Sequence, residues 1–150
     1  MFKILLNSIL YVTMLLGGNM KQKTIQQYLS STSQAQVIID GEFNEVRDTQ
    51  KLNNILSDML KDSHEMPAFG VSVHTETLKV INNGVWLRLQ YNGTQVVDEM
   101  NFDELLIQVE PNYTGFNIIR GNRGIYEGRC YYIDLIQKDM SMLYNYLSKI

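Results

Sequence analysis

The chain has 150 residues, 45% of them hydrophobic, and a formal net charge of −3. That length sets the expectation of one domain, and that apolar content excludes disorder throughout. The charge is uneven: residues 1–39 carry three Lys and no acid, residues 40–110 carry 13 acids against five bases (−8), and residues 111–150 carry three acids against five bases.

The acidic middle repels nucleic acid, so a nucleic-acid partner is not expected, and any basic footprint must lie near the C-terminus. The single cysteine, Cys130, allows neither an intrachain disulfide nor a cysteine zinc cluster, and it fits a reducing compartment.

Residues 2–18 read FKILLNSILYVTMLLGG. Asn7, Ser8 and Thr13 dilute the apolar run below the ~20 residues that a spanning helix wants. Lys3 and Ile9–Leu16 suit a signal peptide, but Gly17-Gly18-Asn19 is a poor cleavage site. Gly17-Gly18-Asn19-Met20 can also be encoded as GGA-GGT-AAT-ATG, which holds a bacterial ribosome-binding sequence ahead of a start codon. Three readings of residues 1–19 follow: translated leader, signal or weak anchor, and packed helix. The globular domain is expected over residues 20–150, with membrane contact only if residues 1–19 are retained.

Residues 21–30 have a short helical pattern, with Ile25, Tyr28 and Leu29 on one face, and the Ser30–Ser33 cluster ends it. Ala35–Asp40 reads as a strand. The clearest helix follows, capped by Asp48 or Thr49 and carrying Leu52, Ile55, Leu56, Met59 and Leu60 as a one-sided stripe. From Phe69 the period becomes two: Phe69, Val71 and Val73 alternate with Gly70, Ser72 and His74. Val85, Leu87, Leu89 and Tyr91 do the same after Asn83-Gly84, a strong hairpin signal that Asn92-Gly93 repeats. Leu105–Val109 is a further strand, and Asp103-Glu104 before it resembles the start of a helical turn. Gly115–Arg120 and the segment from Ile125 to Leu135 flank a turn at residues 121–124, and a final helix from about Asp139 aligns Met140, Leu143, Leu147 and Ile150.

Segregated strands with short connections predict an α+β fold: a single antiparallel sheet of about six strands packed by two or three helices. The expected core comprises the Leu52–Met59 stripe, Val71, Val73, Leu87, Leu89, Leu105, Ile107, Val109, Ile118 or Ile119, Tyr132, Leu143 and Leu147.

Few residues point to chemistry. His64-Glu65-Met66-Pro67-Ala68 begins like a zinc-protease helix, but it lacks the second His, and Pro67 forbids the helix. His74 and Glu76, on one face of the expected strand, and the acidic group Asp98, Glu99, Asp103 and Glu104 read as a solvated sheet face rather than a metal site. Cys130, expected to face the apolar side with Tyr126 and Tyr132, reads as a buried thiol. No Walker loop, G-x-G-x-x-G or G-x-S-x-G occurs.

The stretch GFNIIRGNRGIYEGRCYY, residues 115–132, has the most character. It places Arg120 and Arg123 at a hairpin tip and Glu127 and Arg129 on one strand face, with Phe116 opposite Arg129. Arginine forks fit carboxylate or phosphate. The leading expectation is a small non-catalytic protein-interaction module of a bacterial cytoplasm, immunity- or inhibitor-like, binding another protein. The alternative is a small-anion or nucleotide binder, with or without catalysis, using Arg120, Arg123, Glu127, Arg129 and Phe116. No cofactor and no metal are expected.

Overall fold

The computed structural model describes residues 22–67 and 70–150. The three readings of residues 1–19 and the first residue of the strand expected from Phe69 lie outside these. The described residues form four helices: α1 (Ile25–Leu29), α2 (Thr49–Leu60), α3 (His74–Val80) and α4 (Ser141–Leu147). They also form nine strands: β1 (Gln34–Ile39), β2 (Glu42–Glu45), β3 (His64–Met66), β4 (Val71–Ser72), β5 (Val85–Val97), β6 (Met100–Val109), β7 (Gly115–Gly121), β8 (Gly128–Arg129) and β9 (Tyr131–Asp134). Seven strands make one sheet in the order β2-β1-β5-β6-β7-β9-β3, and β4 pairs β8 in a separate ribbon. Every pair is antiparallel. The α+β fold is as expected, with one strand more in the main sheet and a fourth helix.

Alternation along the central strands buries both faces of the sheet. Val37, Leu87, Leu105, Ile107 and Ile118 join Ile25 and Leu29 of α1, Leu52, Leu56 and Met59 of α2, and Leu143 and Leu147 of α4 in the main core. Their sequence neighbours Ile38, Trp86, Leu106 and Ile119 form a second, smaller cluster with Ile81 at the end of α3 and Tyr126. One three-helix layer therefore covers one side, and α3 covers part of the other.

The helix ends show why these segments coil. Thr24 and Gln27 make a reciprocal capping box at the start of α1. Asp48 caps α2 by accepting from the Lys51 amide at 3.0 Å. At the far end of α2, Lys138 Nζ donates to the carbonyls of Asp58 at 2.7 Å and Lys61 at 3.0 Å. A cation there satisfies free carbonyls and offsets the negative end of the helix.

Several local expectations are overturned. The segment from His74 is helix α3, not strand, so His74 and Glu76 do not share a strand face. Val71 and Val73 are 68% and 54% exposed rather than core. Tyr132 is only half-buried. Asn83-Gly84 links α3 to β5 instead of joining two strands; its Gly84 amide is capped by the Asp40 carboxylate at 2.9 Å. At Asn92-Gly93 strand β5 does not end: the register against β6 shifts between Gln90 and Gln95, so the glycine sits in a bulge that bends the hairpin. The turn falls instead at Asp98-Glu99, both with positive φ (51° and 64°). Asp103 and Glu104 lie within β6, not in a helical turn.

The bent tip of the β5–β6 hairpin folds over the end of the core. Phe102 is fully buried there among the rings of Tyr28, Tyr91 and Tyr131, edge to face at 5.2–6.1 Å. Tyr131 donates its hydroxyl to the Val97 carbonyl at 2.8 Å. No helix among the described residues is long and apolar enough to cross a membrane.

Candidate functional site

The residues expected to act together in the 115–132 hairpin do not all reach one surface. Its turn forms over Asn122–Ile125, with Arg123 and Gly124 at φ 53° and 78°. Phe116 lies at the centre of the core, fully buried and paired in register with Ile133, so it cannot face Arg129 or a ligand. The reason is parity: Phe116 and Ile118 share the side of β7 that the three-helix layer covers.

Arg120 is committed to backbone. Its Nε donates to the Arg129 carbonyl and its Nη1 to the Asn101 carbonyl, both at 2.7 Å. Its Nη2 lies so close to Gly128 that a Cβ there would be 2.5 Å away. Gly128, at φ 104°, therefore has two reasons to lack a side chain. Arg120 acts as a strut tying the β5–β6 hairpin to β8. Arg123 sits exposed at the turn tip, its amide donating to Asp103 Oδ2 at 3.0 Å. Glu127 is exposed in the loop before β8, and Arg129 is exposed within it. The described geometry thus sets Phe116 apart in the core, while Arg120 touches the Arg129 backbone and lines a small cavity of about 260 Å³ with Glu127.

Behind this hairpin runs a buried polar chain. Glu104 accepts on Oε2 from Arg88 Nε and from the Tyr126 hydroxyl at 3.1 Å. Arg88 Nη1 reaches Gln36 at 2.8 Å. The Tyr126 amide donates to His74 Nδ1 at 3.1 Å, and the two rings stack at 5.8 Å. Burial first, then the Glu104 charge, pushes the Tyr126 phenol up to about 12. The partners of Glu104 are all internal, so this chain is a scaffold that fixes α3 and the Arg123 turn on the sheet.

Two open cavities flank the β4–β8 ribbon. Its pairs are Val71 with Arg129 and Ser72 with Gly128, and the Cys130 amide continues it by donating to the Gly70 carbonyl at 3.0 Å. Cys130 and Tyr131, where β8 passes into β9, divide two cavities. The first, about 570 Å³, is lined by Glu65, Asp98, Met100 and Arg129. Burial, then the hydrogen bond and charge of Asp98, raises the Glu65 carboxyl to about 7. Arg129 lines the same cavity.

The second cavity, about 540 Å³, lies between the ribbon and α3, with Val71, Val73, Thr77, Val80 and Ile119 in its walls. Val71, Val73 and Val80 are 68%, 54% and 45% exposed. Cys130 is half-buried, with Tyr131 but not Tyr132 inside. Burial raises its thiol pKa, although the Ser72 hydrogen bonds act the other way, so no thiolate is prepared for attack. Among the described residues, no three His, Cys, Asp or Glu side chains gather to hold a metal ion.

Arg129 is the sequence-expected residue that lines one of these cavities. The Glu65–Asp98 pair was not legible, because an edge strand and a hairpin tip far apart in sequence supply it. The valines carried a signal that pointed the wrong way: their alternation reads as burial. In comparisons with known proteins, the chain matches no family model, no curated protein and no solved structure.

Proposed function

We propose that the chain is a small non-catalytic protein-interaction module that receives an apolar segment of a partner protein between the β4–β8 ribbon and α3. The observation that carries this reading is the exposure of Val71, Val73 and Val80 around one cavity. Contiguous aliphatic surface of this kind marks contact sites more often than idle surface. At ~25 cal/mol per Å², covering the three side chains contributes about 3–5 kcal/mol gross, enough to anchor a contact if polar groups around it are satisfied. The 13 acids against five bases of residues 40–110 favour a basic partner through steering, as an immunity- or inhibitor-like role in a bacterial cytoplasm requires.

The test is recovery of a stoichiometric partner from cells that encode the protein, at low salt, with Val73→Asp and Val80→Asp as variants. The partner should be retained by Arg123→Ala and lost by both aspartate variants. No stoichiometric partner, or one that survives both, refutes the reading. The small-anion alternative is separated by thermal shift with phosphate-bearing ligands: a ligand at ~100 times its Kd should stabilise by about 2.7 kcal/mol. Such a shift, abolished by Arg123→Ala or Arg129→Ala, would favour the alternative.

A further inference from the structure

Strand β2 is an edge of the seven-stranded sheet, with no described strand on its outer side. Its hairpin with β1 turns at Asp40-Gly41, both with positive φ (48° and 87°), as a two-residue type I′ turn demands. In such a hairpin the residues flanking the turn, Ile39 and Glu42, exchange both hydrogen bonds, and the pattern alternates from there. Asn44 therefore bonds inward to Val37, and the Val46 amide bonds inward to Ala35 at 3.0 Å. Phe43 and Glu45 fall on the alternate positions. Their amides and carbonyls point away from β1, to the open side.

The open side is shaped and charged. All four residues of β2 are exposed, and Phe43 is 51% exposed despite being aromatic. A groove of about 580 Å³ runs beside this edge, walled by Phe43, Glu45 and Asp48 on one side and by Tyr146 and Ile150 on the other. Glu45 and Asp48 line it with Arg47, Lys51 Nζ lies over the Tyr146 ring at 5.3 Å, and Asp40 and Glu42 at the turn and start of the same edge leave four acids against two bases. Glu45 keeps its carboxylate at the edge through a 3.0 Å bond from Gln36.

We propose that β2 is a strand-addition site, taking an extended basic segment of a partner protein into this groove as an eighth strand. Backbone bonds to Phe43 and Glu45 would set the register; lysine or arginine opposite Glu42 on one face, and apolar side chains opposite Phe43 on the other, would set the choice of partner. A second copy of this chain is the poorer occupant, because it brings an equally acidic edge. The proposal rests on the reading of the chain as an interaction module, but it uses the other end of the sheet from the valine groove. Val80→Asp and Phe43→Pro therefore separate the failure of one from the failure of the other.

The test titrates the full chain with a six-residue peptide of alternating Lys and Val and follows backbone amide shifts by NMR. Shifts should concentrate at Phe43 and Glu45. A Glu–Val peptide, and a Lys–Val peptide N-methylated along one edge, should each bind at least tenfold more weakly. Phe43→Pro removes an outward donor without removing a bond to β1, and it should weaken binding at least tenfold while Val80→Asp leaves it unchanged. If Phe43→Pro fails to fold, the N-methylated peptide decides alone. Equal binding of the Glu–Val or N-methylated peptide, absence of shifts at millimolar peptide, or a concentration-dependent dimer that shifts the same amides without peptide each overturns the proposal.

Discussion

Gly121→Ala should be far more damaging than an exposed-strand glycine substitution, and its cost should depend on Glu104. Gly121 in β7 stands in register with Glu104 in β6. A Cβ on it would come within 2.5 Å of Glu104 Cγ, 2.7 Å of Tyr126 Cε1 and 2.9 Å of Glu104 Cδ. Contacts that short require a shift of about 1 Å. Neither neighbour is free to give, because Glu104 is 4% exposed and holds both Arg88 and the Tyr126 hydroxyl. Overpacking of this kind costs ~1–3 kcal/mol. Displacing a charged hydrogen bond adds ~1.5–3 kcal/mol when it is lost entirely. The expected sum for partial displacement is about 3 kcal/mol, or roughly 6–12 °C in Tm for a domain of this size.

Glu104→Ala alone should cost about 3 kcal/mol, since it leaves the mostly buried Arg88 without its carboxylate. It also removes two of the three atoms that a Gly121 methyl meets, and it releases the Tyr126 ring. In that background Gly121→Ala should cost only ~1 kcal/mol, a coupling of about 2 kcal/mol between the two sites. Urea denaturation of the wild type, both single variants and the double variant measures the cycle. Additivity within ~0.5 kcal/mol would refute the reasoning, because it would mean that the Glu104–Tyr126 pair is not what fills the space above Gly121.

The remaining predictions concern the ribbon. The Glu65 carboxyl is raised to about 7, so the folded state prefers it protonated. Its contribution is fully present below pH ~4.5 and is lost as pH rises through 7. Unscreened, the shift amounts to ~3 kcal/mol, and partial exposure reduces it to about 1 kcal/mol. Glu65→Gln should therefore flatten the decline in stability between pH 5 and pH 8 by that amount, read from urea midpoints at the two pH values; an unchanged profile rejects the raised Glu65 pKa. Arg120→Met keeps the aliphatic stem and removes two bonds to carbonyls. It should cost about 1–2 kcal/mol and speed amide exchange at Cys130. Arg123→Ala, at the exposed turn tip, should leave stability within ~0.5 kcal/mol of wild type by the same denaturation assay.

What the sequence determined by itself was the part of the fold that local periodicity controls. The stripe from Leu52 to Leu60, with Asp48 ahead of it, specifies a one-sided helix whatever it packs on, and α2 is that helix. Alternation from Val85 to Val109 specifies strands, and the antiparallel α+β build follows from their short connections. The tertiary structure decided the rest. His74–Val80 coils despite two threonines and a valine and without a side-chain cap, because Thr77 and Ile81, one turn apart, can bury there and Ile81 reaches Trp86 and Ile38. That in turn leaves Val71, Val73 and Val80 at the surface, the first two of which a period-two reading buries. The arginines diverge for a similar reason. Whether a guanidinium faces a ligand depends on which carbonyls come within its reach, and the carbonyls of Asn101 and Arg129 are brought to Arg120 by a bulge and a second ribbon that periodicity does not encode. Local patterns fix the element a residue belongs to. Its partners are set by long-range packing, where burial and hydrogen-bond satisfaction outweigh the ~1 kcal/mol scale of intrinsic preference.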